Sequence, residues 1–183
     1  MQEKNKSNWK RRFSKQELKT CRKIKNKVIE KQTKKIGITT HEILRLMKDI
    51  PNFIGCYAED EVSSLSLTSF PAYLIVNVDG SKLPGSHWIG LMIDRTNVEV
   101  YDSSGFNLFL LPRVPCHLLS FIHRLTQSKR LAVTRQIQPL SSNLCGFYAM
   151  FFIICRHHYS LSDILSLFSP NLTKNDRRLI NFL

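Results

Sequence analysis

The run Cys145–Ile154, CGFYAMFFII, is apolar at nearly every position, so none of its faces suits water. A helix of that kind must be surrounded by the rest of the chain, which predicts a buried central helix over Cys145–His157. The polar stretch Pro139–Asn143 reads as the loop that enters it. A cysteine in the first turn of such a helix sits among unpaired backbone N–H groups, at the positive end of the macrodipole. That setting favours thiolate over thiol, as a sulfur nucleophile requires. Cys145 is therefore a candidate nucleophile, and Gly146 beside it permits close backbone approach. Cys155 lies inside the apolar helix and reads as structural.

Around this helix the pattern is helices, then strands, then helices, an α+β order with a small mixed sheet. Ser14 and Glu17 form a capping-box pair ahead of a loose helical period to Lys31, with Phe13, Leu18, Ile24, Val28 and Ile29 as its apolar positions. A second helix is expected over His41–Asp49 behind Thr39-Thr40, with Ile43, Leu44, Leu46 and Met47 on one face. Pro51 stops it. Strands are expected at Ala72–Val78, Trp88–Ile93, Val98–Tyr101 and Leu131–Ile137. Further helices are expected at Pro115–Gln127, Ser162–Phe168 and Thr173–Phe182.

The charge of the chain is unevenly placed. Residues 1–35 hold 14 Lys and Arg against 3 acids, whereas the remaining residues hold 13 against 11. The segment 1–38 is read as a basic, partly helical N-terminal extension, with few apolar residues to give to a core. A field that strong points to polyanions, with DNA contacted through phosphates and without sequence preference. The domain proper is assigned to residues 39–183. No apolar stretch reaches the roughly 18 residues of a membrane span, so no membrane partner is expected. The five cysteines show no CxxC pair, and the N-terminus lacks the apolar core of a signal peptide, which reads as free thiols in a reducing compartment. Cys116, His117 and His123 hint at metal but lack the spacing of a four-ligand site, so no metal is expected.

Two strand ends carry complementary chemistry. His87, in GSHW, precedes one expected strand, and Asp102, in VYDSSG, follows the next. If the two strands form a hairpin, both side chains stand at its open end. The carboxylate can then accept one ring N–H of the imidazole and fix its tautomer. Trp88 offers an aromatic wall against bulk water, and Trp88 and Gly146 are candidate substrate-binding residues. Gln138, seven residues before Cys145, is a candidate donor to an oxyanion, with Gln136 as its rival on the same strand face. Cysteine, imidazole, carboxylate and amide are the parts of a cysteine hydrolase.

The string GSHW, VYDSSG and Q-(six residues)-CGFYAMFFI resembles the adenovirus-type maturation proteases, including those of virophages and Polinton/Maverick elements, within the wider clan of ubiquitin-like-protein proteases. Pro51–Val62, PNFIGCYAEDEV, is similar to that family's N-terminal block. The resemblance runs from about residue 40 to 158. It implies a cysteine protease domain over 39–183, with His87, Asp102 and Cys145 as the triad and Gln138 in the oxyanion hole. It also implies a monomeric endopeptidase that cleaves viral capsid and core precursors during maturation. Such an enzyme works inside the virion and the host cell, in the nucleus or a cytoplasmic virus factory. No cofactor is required for the chemistry, and DNA or an activating peptide would act as stimulators. The chain departs from the family by lacking a Gly-Pro after Gln138, and a cysteine just upstream of it to take a disulfide-linked activator. A protease of ubiquitin-like modifiers and a nonenzymatic basic nucleic-acid-binding protein are the alternatives.

Overall fold

A computed structural model describes residues 9–105 and 114–183. The first eight residues of the basic lead lie outside this set. Among the described residues, six α-helices and five strands are arranged in the order α1 (Lys15–Lys34), α2 (Thr40–Met47), β1 (Phe53–Ala58), β2 (Ala72–Asn77), β3 (Trp88–Ile93), β4 (Asn97–Tyr101), α3 (Cys116–Thr126), β5 (Arg130–Val133), α4 (Cys145–Arg156), α5 (Leu161–Ser166) and α6 (Asn175–Phe182). The class is α+β, built on one mixed sheet in the order β1-β2-β3-β4-β5.

β2, β3 and β4 form the antiparallel hairpins expected of them. β1 pairs parallel to β2, and β5 parallel to β4, so the outer pairs are crossovers and not hairpins. In consequence the C-terminal ends of β1, β2, β4 and β5 and the N-terminal end of β3 all open at the same end of the sheet.

Both faces of the sheet are covered, which explains why β2 and β3 are buried at every position and, Asn77 apart, apolar and not alternating. Leu74, Val76, Ile89, Leu91, Val98 and Val100 pack with Leu118, Phe121 and Ile122 of α3. Ile75, Met92 and Tyr101 pack on the other face with α4. That central helix is buried from Cys145 to Cys155, and it crosses β3 where Gly90 offers no Cβ to hold it off. Tyr101 stacks on its Phe152 with centroids 4.3 Å apart.

Ser14 with Glu17, and Thr39 with Glu42, form complete capping boxes at the starts of α1 and α2. Three expectations need correction. Leu44 and Ile29, read as core-facing, are exposed, because each lies just off the stripe its helix buries. β5 ends at Val133 and not at Ile137, since Thr134 and the residues after it bond to the loop behind β4. The basic lead does contribute to the core. Trp9, Phe13, Cys21, Ile24 and Val28 are buried in the same cluster as α4. Cys21, Ile24 and Val28 share the amphipathic helix α1 with the basic residues, and Trp9 and Phe13 precede it, so counting apolar residues understated what the segment buries.

Candidate active site

Each side chain of the site is delivered by a strand or helix terminus at the open end of the sheet. His87 immediately precedes β3, and Asp102 immediately follows β4. The register of that hairpin puts them side by side, with His87 Nε2 2.8 Å from Asp102 Oδ1. Asp102 is 1% exposed. Its Oδ1 also accepts the Ser104 N–H, and its own N–H donates to Thr134 Oγ1. The Cys145 side chain acts on the same ring as a hydrogen-bond partner. Cys145 is the first residue of α4, and no side chain caps that helix; the Phe147 N–H bonds back to Leu144 O, so the uncapped N–H groups of the first turn are those of Cys145 and Gly146.

Burial alone would lower the pKa of His87. The hydrogen bonds to Asp102 and Cys145 outweigh it and hold the imidazole up at about 9. Burial pushes Cys21 up to about 11 and Cys56 up to about 12, and raises Cys155 as well. All five cysteines are free.

Gln138 faces the same cleft, which has a volume of about 810 Å³. Its amide is fixed at both ends, with Oε1 accepting from Ser103 Oγ at 2.6 Å and Nε2 donating to Ser142 O at 2.8 Å. A primary amide carries two donors, so one Nε2 hydrogen is left over for a substrate oxygen. Gln136 does not line the cleft, and its side chain bonds to the Gln138 carbonyl. Trp88 lines the cleft while donating its indole N–H to Ile38 O at 3.1 Å. Gly146, expected to touch substrate, is not among the residues that line the cleft. Its α-carbon lies under Ile38 and Trp88, where an added Cβ would come within 2.4 Å of Ile38 Cγ2.

Several residues that hold the site were missed from sequence. The Ser103 carbonyl accepts the N–H groups of both Ile137 and Gln138, and its hydroxyl turns the Gln138 amide. Its place next to Asp102 was the one available signal. Asp176, at the start of α6, accepts from Ser142 and from Tyr148, and fully buried Asn175 donates to Ile137 O. These contacts span 28 to 38 residues, so no local pattern reports them. Cys116, His117 and His123 form no cluster, and among the described residues no group of three or more His, Cys, Asp and Glu could hold a metal ion.

No family model matches the chain. It is 31% identical over 91 residues to the cysteine protease S273R of African swine fever virus, a match covering 45% of this chain and 32% of that protein. The chain thus spans about a third of the curated relative it matches. The solved structure of the African swine fever virus pS273R protease aligns with a TM-score of 0.48 and 16% identity, over 80% of this chain and 66% of the other. In sequence, then, this chain is similar to a viral cysteine protease.

Proposed function

We propose that this chain is a cysteine endopeptidase in which Cys145, His87 and Asp102 act as the triad and Gln138 as an oxyanion donor. The observation that carries the reading is the buried imidazole bridging a carboxylate and a thiol at the mouth of a cleft. The Cys145 thiolate adds to a peptide carbonyl, and the oxyanion is met by the free Gln138 N–H and the Cys145 backbone N–H. The His87 imidazolium gives its proton to the departing amine, leaving a thioester on Cys145. Water, deprotonated by His87, then attacks the thioester and releases the acid. Asp102 holds the ring in the tautomer this exchange needs.

The similarity to a viral cysteine protease supports substrates among viral or virus-like capsid and core precursors, cleaved in the virion or the infected cell. The exposed cations of α1, among them Lys15, Lys19, Arg22 and Lys23, support DNA as a partner and stimulator. The test is cleavage of recombinant precursor proteins and of modifier fusions by the full chain. Precursor cleavage that disappears in Cys145→Ser supports the reading. Iodoacetamide at neutral pH should label Cys145 ahead of Cys21, Cys56 and Cys155. Normal turnover by Cys145→Ser would sink it, and selective cleavage of modifier fusions would move the substrate to ubiquitin-like proteins.

A further inference from the structure

The cleft does not end at Cys145. It continues across the end of the sheet, past β2 to the end of β1. Asn77, the last residue of β2, is paired with Trp88 on one side and Ala58 on the other, so it stands between the His87 strand and the outermost strand. It is 6% exposed and lines the cleft. Its Oδ1 accepts the Asp79 N–H at 3.0 Å, while its Nδ2 has no acceptor among the described residues. An amide donor on a cleft wall can meet an acceptor from a ligand. Gly85, at φ +82°, keeps that donor uncovered, since a Cβ there would come within 2.6 Å of it.

Beyond Asn77 the lining turns acidic. Glu61 and Asp79 line this arm, and among the described residues no Lys or Arg lines the cleft, in a chain of net charge +13. Lys82 is near in sequence but lies outside the lining. The two carboxylate-bearing segments are held together. Asp60 accepts the Ser81 N–H at 2.8 Å and the Ser81 hydroxyl at 2.9 Å, tying the loop after β1 to the loop after β2. Glu61 is itself anchored, accepting the Ala58 N–H at 2.7 Å.

We propose that this arm is a specificity subsite for a lysine or arginine side chain of the substrate, resting on the endopeptidase reading above. Asn77 Nδ2 donates to a backbone carbonyl of the bound peptide, and Asp79 and Glu61 face the cation. The end of β1 lies two strand spacings, about 10 Å, from the end of β3, a span that an extended peptide covers in about three residues. The basic residue therefore sits about three positions from the scissile bond.

The test is cleavage of a proteome-derived peptide library by the full chain, with the cut sites read by mass spectrometry. Lys or Arg should be enriched at one position within about four residues of the cut. For paired fluorogenic peptides carrying Lys or norleucine there, kcat/KM should favour Lys by about tenfold at low salt and by less at high salt. In the Asp79→Asn, Glu61→Gln variant that ratio should fall towards one. In Asp79→Lys the preference should turn to Glu, an inversion that misfolding cannot produce. Cleavage with no basic preference, or a preference unchanged in both variants, overturns the subsite and leaves the endopeptidase reading standing. Failure of the full chain to cleave any member of the library overturns that reading, and the subsite with it.

Discussion

His87 decides the electrostatics of the site. Its ordinary pKa of 6.5 is raised to about 9, so the folded protein favours the cation more than the unfolded chain does. The sign follows directly. The stabilisation is complete below about pH 6.5, declines as pH rises, and is gone once pH passes about 9. Urea midpoints from pH 6 to 10 should therefore slope downward in the native protein and less so in His87→Gln. In Asp102→Asn, burial should win, and the ring should titrate below its native value. An NMR titration of the His87 ring near 6.5 in the native protein would contradict the ion-pair account. Ser103 gives a second prediction at this scale. Losing the Gln138 donor should lower kcat about a hundredfold with little change in KM. Ser103→Ala, which only frees the amide to rotate, should cost less, and Gln136→Ala should change kcat hardly at all. If Gln136→Ala were the crippled enzyme, the amide assignment would be off by two residues.

Elements were readable where the pattern was local. The boundary of α4, the capping boxes of α1 and α2, and the strands β2 to β4 follow from polarity, caps and turn residues within a few positions. β1 was not expected as a strand, because Gly55 and the register shift between Phe53 and Gly55 interrupt the alternation that marks one. The end of β5 was overrun because its partner is the loop behind β4, over 30 residues away in sequence. Gly146 is the sharpest prediction at the scale of elements. Alanine normally favours a helix over glycine, yet here its Cβ would meet Ile38 Cγ2 at 2.4 Å and Trp88 Cδ1 at 3.0 Å. The clash should win, destabilising the protein by about 1–3 kcal/mol. Equilibrium denaturation of Gly146→Ala would measure it, and a neutral result would mean that the segment ahead of α2 and the start of β3 yield more easily than their packing suggests.

At the scale of the molecule, α1 is a structural wall with a charged outer face. Trp9 packs against Phe13, Phe151, Tyr159 and Phe182, and the Tyr159 hydroxyl donates to the Trp9 carbonyl. Glu17 pairs with His158 at 2.9 Å, and Lys31 with Glu42 at 2.8 Å. Loss of one buried large side chain costs about 2–5 kcal/mol, and a whole domain is stable by only about 5–15. Deleting residues 1–35 should therefore abolish cooperative unfolding, as judged by near-UV circular dichroism and thermal melts. A sharp melt in the truncated chain would show that α1 is dispensable. The role of the charge is tested by exposed substitutions instead. Lys19→Glu, Arg22→Glu and Lys23→Glu together should leave the melt nearly intact while reducing DNA affinity and the salt dependence of binding.

What the sequence determined by itself was set by neighbours along the chain. An all-round apolar helix must be central, a cysteine at its first turn is held among open N–H groups, and a short hairpin puts His87 and Asp102 at one end. Tertiary structure alone decided the parallel pairing of β1 and β5, the hydrogen bond that turns the Gln138 amide, and the seat of Gly146 under Ile38. It also placed the apolar stripe of the basic helix α1 in the core. These depend on contacts between segments tens of residues apart. Local propensity and periodicity carry no information about which distant surface will meet which.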